Sequence, residues 1–223
     1  MTTPADFKRL VRPLLDSNPD LALSGRLIVV RPLQNFIRGI YVDRTGSGLY
    51  FRPVWAINSL FDPKHSFSLN YGGRFYPIAE GLWTPDRPCL GEEFQERVET
   101  DVLPLLRGLS DFATCRTYLM TGNFPGGNMS HDFGRRVFID AAQGDWAPLD
   151  DVCKGFSANY ARNLGHRDVS DLEPVVLTLA PLVAARDRAG IAKVLHGWEA
   201  VTVQKYKLEK YWEPTPFPLE IGE

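Results

Sequence analysis

Residues 26–57, RLIVVRPLQNFIRGIYVDRTGSGLYFRPVWAI, decide the fold class of this chain. Isoleucine, valine and aromatic residues concentrate in three runs, at 26–33, 36–43 and 49–57, which is typical of β-strands. The connection Thr45-Gly46-Ser47-Gly48 has the composition of a hairpin turn. Because no helix-length segment separates the runs, we predict that the strands pair antiparallel as a meander.

Two shorter runs, at 67–71 and 74–78, extend the predicted sheet to about five strands. In the third run, Trp55 has the opposite parity to Arg52, which predicts one apolar sheet face and one face in water. Pro53 lies inside the same run and indicates a sheet edge or a bulge, because proline has no N–H to donate.

Amphipathic helices are predicted both before and after the sheet in the sequence. Before it, apolar residues recur at helical spacing from Phe7 to Leu14, and Pro13 predicts that this helix ends early or bends. After it, an apolar stripe runs from Phe94 to Leu109. Further helices are predicted at 111–120, 135–142, 147–164, 172–185 and 189–212.

The predicted fold class is therefore α+β, with an N-terminal helix, an antiparallel meander of about five strands covered by helices on one face, and C-terminal antiparallel helical hairpins. The chain divides into residues 1–90 and 91–223, as two abutting domains or as one continuous domain. In the second region, the segment after Asp145 resembles the segment after Asp187 at a 42-residue offset. That similarity fits either a hairpin repeat or two plain adjacent hairpins.

Composition narrows the function classes. Lys+Arg total 25 and Asp+Glu total 27, a net charge of −2, which argues against nucleic acid as a partner. The three cysteines are too scattered for a disulfide framework or a thiolate zinc site, and we predict neither a metal nor a cofactor. The chain has neither a signal-peptide pattern nor an apolar run of about 20 residues. We therefore expect a cytoplasmic protein with no membrane partner.

His131 and Asp132 are the strongest candidates for chemistry, since adjacent His and Asp residues resemble the metal-binding dyad of phosphohydrolases. They follow the glycine-rich loop 122–128, and Arg135 and Arg136 come next at a predicted helix start, where an anion could bind. No strand is predicted before the loop, and no Gly-Lys-Ser/Thr signature is present. Since no residues combine a nucleophile, a base and an orienting group, the sequence favours a protein that is not an enzyme.

The sheet region carries side chains typical of protein interfaces. Residues 1–91 hold 11 Lys+Arg against 7 Asp+Glu, whereas the remainder of the chain is acidic. Arginine and tyrosine supply much of the binding energy at such interfaces, although a solvated sheet face of ordinary charge is the alternative. The predicted binding residues are Arg38, Tyr41, Tyr50, Arg52 and Arg74 in the sheet, with Arg135 and Arg136 after the glycine loop.

The order of the elements resembles that of an uncharacterised bacterial α+β domain family of unknown function, over roughly residues 5–120. The resemblance rests on a leading helix at 7–15, strands at 27–30 and 37–42, an aromatic strand at 49–51 and an apolar segment at 102–106. Some members are suspected immunity proteins in toxin loci, so the resemblance implies an accessory protein with a protein partner. It includes no catalytic motif and assigns no site residue.

We therefore predict a non-catalytic protein-binding or accessory protein whose partner is another protein. One alternative is a hydrolase or phosphoesterase that uses the region around His131 and Asp132. Another is a homo-oligomeric scaffold assembled through the C-terminal helix, which carries Trp198, Tyr206 and Trp212.

Overall fold

The computed structural model describes residues 4–44, 50–65, 67–78, 80–122, 124, 133–155 and 165–222. The described helices are α1 (Pro4–Ser17), α2 (Leu90–Arg97), α3 (Leu103–Gly108), α4 (Phe112–Thr121), α5 (Phe133–Gln143), α6 (Trp146–Gly155), α7 (Gly165–Ala184), α8 (Arg188–Lys205) and α9 (Pro218–Ile221). The described strands are β1 (Leu21–Ser24), β2 (Leu27–Val30), β3 (Phe36–Arg44), β4 (Phe51–Ser59) and β5 (Gly72–Arg74). This order confirms the predicted α+β class, with its N-terminal helix, its sheet and its mostly helical C-terminal region.

The sheet is a meander in which each strand pairs antiparallel with the next, in the order β1-β2-β3-β4-β5. The longest pairing joins β3 to β4, from Phe36 opposite Ser59 to Arg44 opposite Phe51. The predicted turn at 45–48 lies outside the described residues. Consecutive pairing follows from the short connections, which leave each strand closest to its sequence neighbour.

The limits of three strands differ from the prediction. Composition does not indicate β1, because its sequence LALS contains no β-branched or aromatic residue. It forms because Gly25, at φ 62°, adopts the left-handed conformation that turns the chain into β2. The predicted strand at 67–71 is wrong, since these residues form no strand, and the one predicted at 74–78 is replaced by the shorter β5.

Both faces of the sheet are covered over most of their area, so the predicted face in water is wrong. Even-numbered residues of β2 and β3, such as Ile28 and Ile40, belong to the main core beneath the helices. Val29, on the opposite face, belongs to a second core that also contains Val203 and Leu208. The end of α8 and the residues after it therefore cover the face that local alternation predicts to be solvated.

Two prolines act differently on their helices. α1 continues through Pro13 to Ser17, so this helix does not end early. A π-helical turn, Val98–Val102, joins α2 to α3, and the N–H of Leu103 donates to the Val98 carbonyl. Pro104 follows immediately, and its ring and missing N–H disfavour a regular α-helical turn before it.

Two helices of the C-terminal region begin where the sequence similarity predicts. α6 starts one residue after Asp145, and α8 starts one residue after Asp187, whose carboxylate accepts the Gly190 N–H at 2.8 Å. The main core contains residues from both predicted regions, and the division at residue 90 and the hairpin repeat stay predictions. Within the described residues, no helix is both long and apolar enough to cross a membrane.

Candidate binding groove at the sheet edge

Three of the predicted binding residues, Tyr50, Arg52 and Arg74, lie together at the outer end of β4 and β5. The Nη2 of Arg52 donates a hydrogen bond to the Tyr50 hydroxyl at 2.8 Å, and its guanidinium lies 5.2 Å from the centre of that ring. These contacts orient the guanidinium while the residue stays exposed. Arg74 is also exposed, and neither arginine forms an ion pair with a described residue. Two positive charges therefore face solvent here.

These side chains line a groove of about 120 Å³ together with aromatic and aliphatic residues. Trp83 is only 2% exposed and stacks on Phe51, with the ring centres 6.0 Å apart. Tyr76 and Leu82, which also line the groove, are 53% and 46% exposed, and Ile78 nearby in the chain is 58% exposed. Large apolar side chains exposed next to one another mark contact sites more often than inert surface.

Pro53 shapes the groove because it interrupts the pairing on one side of β4. Just beyond β5, the Phe75 N–H donates to the Pro53 carbonyl at 3.4 Å, but proline has no N–H to return to the Phe75 carbonyl. The Trp83 Nε1 donates to that carbonyl instead, at 3.0 Å, and the Phe51 N–H donates to the Trp83 carbonyl at 3.0 Å. Since β4 is an inner strand, Pro53 does not mark a sheet edge; it marks the place where Trp83 replaces β5 beside β4.

β5 depends on glycine for its close approach to β4. A Cβ on Gly72 would lie 1.8 Å from the Trp55 carbonyl oxygen, and a Cβ on Gly73 would lie 2.9 Å from the Trp55 Nε1. We expect Gly72→Ala to lower the free energy of unfolding by about 2 kcal/mol, because β5 must move away from β4. Urea denaturation measures the change.

Gly91→Ala in α2 is the matched control, because an added Cβ at Gly91 meets no atom within 4 Å. Alanine favours a helix over glycine, so this variant is expected to be neutral or slightly stabilised. An equal loss of stability in the two variants would contradict the close approach of β5 to β4.

Two predicted binding residues of β3 lie outside the groove. Arg38 is 5% exposed, and its guanidinium donates to the Leu109 carbonyl at 2.9 Å and to the Pro32 carbonyl at 2.8 Å. Burial lowers the pKa of Arg38. Its predicted place on an exposed face is wrong, because it has the parity of the core-facing row of β3. Tyr41 lies on the other face, where it is half-buried and its ring is 6.2 Å from that of Phe67.

The candidates after the glycine loop are only partly described. His131 and Asp132 lie outside the described residues, as does the side chain of Arg135, so the hydrolase alternative stays a prediction. Arg136 lies on α5, and its Nε is 3.1 Å from the Asp140 Oδ2. Burial raises the pKa of Asp140, although Arg136 opposes that rise. Among the residues that the structure describes, no group of His, Cys, Asp and Glu could hold a metal ion.

The aromatic residues of the scaffold alternative pack within the chain. Tyr206 and Trp212 border the second core, and Trp198 borders the main core. Leu33 forms a parallel bridge with Trp212, which ties the C-terminal segment to the sheet region. These contacts use the aromatic side chains inside one molecule, and the oligomeric state stays a prediction.

The sequence did not single out Leu82 and Trp83 as groove residues. They lie in a loop with no hydrophobic period, and nothing local places Trp83 beside Phe51. The available signal was a tryptophan in a proline-flanked loop, since tryptophan is enriched at binding surfaces. No family model, curated protein or solved structure matches this chain.

Proposed function

We propose that this protein is a non-catalytic binding protein that takes an acidic, partly apolar segment of a partner protein into the groove. The observation that carries the proposal is the position of Arg52 and Arg74, exposed and without an ion pair to a described residue, beside the exposed Tyr76 and Leu82. Arginine and tyrosine in one patch are typical of protein-binding surfaces. Charge complementarity requires the bound segment to carry Asp or Glu.

The size and rigidity of the groove favour a protein segment over a small-molecule substrate. Its volume of about 120 Å³ is well below the roughly 300–1,000 Å³ of ordinary ligand pockets, and it suits one side chain of an extended segment. Tyr50 already holds Arg52, and Trp83 is fixed by hydrogen bonds through its indole and its carbonyl. Binding therefore costs little ordering of these side chains.

An immunity-like role is the finer form of this proposal, with a toxin as the partner. It is supported by the resemblance of residues 5–120 to a family in which some members are suspected immunity proteins. A cytoplasmic location, where such a partner would be met, belongs to the same proposal.

Selection from a random peptide library displayed on phage tests the groove with a defined probe. We expect the full chain to enrich peptides in which Asp or Glu adjoins an aromatic or aliphatic residue. Affinity of a synthetic peptide from that pool, measured by calorimetry, is expected to fall about 100-fold in R52E/R74E, because two attractive charges become repulsive. The affinity is also expected to weaken with added salt.

The matched control is R9E/R12E, which makes the same change of net charge on α1. The Arg9 and Arg12 side chains are each 81% exposed and lie on a different element from the groove. This variant is expected to bind the peptide as the parent protein does. Equal losses in the two variants, or enrichment of peptides without acidic residues, would refute a binding groove for acidic segments.

A further inference from the structure

The C-terminal segment after α8 returns across the molecule and buries Phe217 in the main core. The Glu213 N–H donates to the Leu33 carbonyl at 2.8 Å, which fixes the start of the returning segment. Phe217 is fully buried, and its ring centre lies 5.1 Å from that of Phe61 and 4.6 Å from that of His196. The short helix α9 follows directly and packs against α5 and α8.

His196 joins this segment to α8 through both of its ring nitrogens. The Nδ1 lies 2.7 Å from the Glu199 Oε2, and the Nε2 lies 2.9 Å from the Glu220 Oε2 on α9. Glu199 is fully buried, and its Oε1 accepts a hydrogen bond from the Asn35 Nδ2 at 3.1 Å. The Glu220 Oε2 also accepts the Phe217 N–H at 2.7 Å, so the same carboxylate orders the backbone at Phe217.

If His196 is neutral and both Glu199 and Glu220 are ionised, these three side chains are one proton short of what the two contacts require. A neutral histidine has a single N–H, so one of its nitrogens would face a carboxylate oxygen with two acceptors and no donor. Both short contacts of His196 become hydrogen bonds when its ring, or one facing carboxyl group, holds the extra proton. Opening the segment would separate Glu220 from His196, so the contact that favours the extra proton would be lost.

We propose that His196 is a proton-operated latch that holds the C-terminal segment closed by tying Glu199 of α8 to Glu220 of α9. Loss of the shared proton leaves two carboxylates against one neutral ring and loosens the segment. Closure is the state with Phe217 in the core, and opening exposes the aromatic pocket around Phe61.

The pKa directions agree with this latch. Burial raises the pKa of Glu199 to about 7, although Asn35 and His196 oppose the rise. Burial lowers the pKa of His196, but its hydrogen bonds to Glu199 and Glu220 outweigh that effect and give a net rise. Groups whose pKa rises on closure bind protons more tightly when closed, so closure is favoured at mildly acidic pH. The contribution of Glu199 to closure is lost as pH rises through its raised pKa of about 7, and closure weakens further as His196 loses its proton.

The other charged side chains that the structure describes on the packed elements have other contacts or are exposed. On α5, Arg136 and Asp140 pair with each other, and residues 175–184 of α7 carry no charged side chain. On α8 itself, Arg188 donates to the Gly222 carbonyl, Lys205 donates to the His65 carbonyl at 2.6 Å, and Lys193, three residues before His196, is exposed. The carboxylates of Glu199 and Glu220 are therefore the charges that act on the His196 ring.

Nuclear magnetic resonance of the full chain tests the latch over about pH 5 to pH 9. The His196 ring is expected to titrate at a higher pH than His65, whose pKa burial lowers. The Phe217 amide signal is expected to shift with the same midpoint as the His196 ring. Coincident midpoints for His65 and His196, or a Phe217 amide signal that does not shift as His196 titrates, would overturn the proposal.

Glu220→Gln and Glu213→Gln form a matched pair in the same segment. Glutamine keeps an acceptor oxygen for the Phe217 N–H but removes the charge that faces His196. In E220Q we expect a lower His196 midpoint, and about tenfold faster hydrogen exchange at Phe217 below neutral pH after correction for intrinsic exchange. E213Q is expected to match the parent protein, since Glu213 is exposed and contacts the sheet region through its backbone. Identical behaviour of the two variants would overturn the latch even if wild-type His196 titrates high.

Discussion

Replacing Phe61 with alanine is expected to lower the free energy of unfolding by about 4 kcal/mol. Phe61 lies two residues after the end of β4 and is fully buried. Its ring lies within 5.1–6.2 Å, centre to centre, of the rings of Phe36, Phe112, Phe138 and Phe217. The substitution would therefore leave a cavity where the sheet, α4, α5 and the C-terminal segment meet, and contacts to all four would be lost at once.

Urea denaturation at constant pH measures this loss, and Tyr76→Ala is the matched aromatic control. Tyr76 is 53% exposed, so its removal is expected to change the free energy of unfolding by less than about 0.5 kcal/mol. Tyr76→Ala should weaken peptide binding in the groove instead. Similar stability losses for the two variants would show that Phe61 does not join the layers of the core.

Replacing Arg38 with alanine is expected to lower the free energy of unfolding by about 3 kcal/mol, because the buried guanidinium packs against the core and its loss leaves the buried Leu109 carbonyl without this donor. Its Nη1 reaches Leu109 just after α3, and its Nη2 reaches Pro32 between β2 and β3. The side chain therefore ties the sheet to the helical layer. Arg38→Lys is expected to restore only part of the stability, since one ammonium cannot span both carbonyls as a planar guanidinium does.

Arg52→Ala is the matched control for Arg38→Ala, since both remove a β-sheet arginine. Arg52 is exposed, so its removal is expected to change stability by less than about 0.5 kcal/mol while it weakens binding of the selected peptide. Thermal or urea unfolding, with calorimetry for binding, separates the two effects. If Arg38→Ala instead impaired binding and left stability unchanged, Arg38 would belong to the binding surface, as the sequence predicts.

Three of the nine residues that line the candidate groove could be predicted from residue type, and the others could not. Residue chemistry predicts that Tyr50, Arg52 and Arg74 lie on a binding surface, and the structure brings these three together. Leu82 and Trp83 enter the same groove from a loop, because Pro53 leaves a gap in the pairing beside β4 that Trp83 occupies. No local spacing indicates that replacement.

The misplacement of Arg38 has a different origin. Residues of β3 alternate between faces, and Arg38 shares parity with Phe36 and Ile40, which both lie in the main core. Residue type predicts a surface position for Arg38, whereas its place in the alternation of β3 puts it in the interior, where it is 5% exposed. The burial is tolerated because carbonyls at the end of α3 and before β3 satisfy the guanidinium, and their position depends on how α3 packs.

Local spacing of apolar side chains was enough to determine the class of most elements and the meander order, because short connections leave each strand beside its neighbour in the chain. The tertiary structure alone decided that both sheet faces are largely covered, which arginines stay exposed and which histidine meets two carboxylates. Val203 and Leu208 cover one sheet face, and Glu220 reaches His196, through contacts between segments far apart in the chain. Such contacts are chosen by the packing of whole layers, and a local hydrophobic pattern contains no information about which distant segment will complete them.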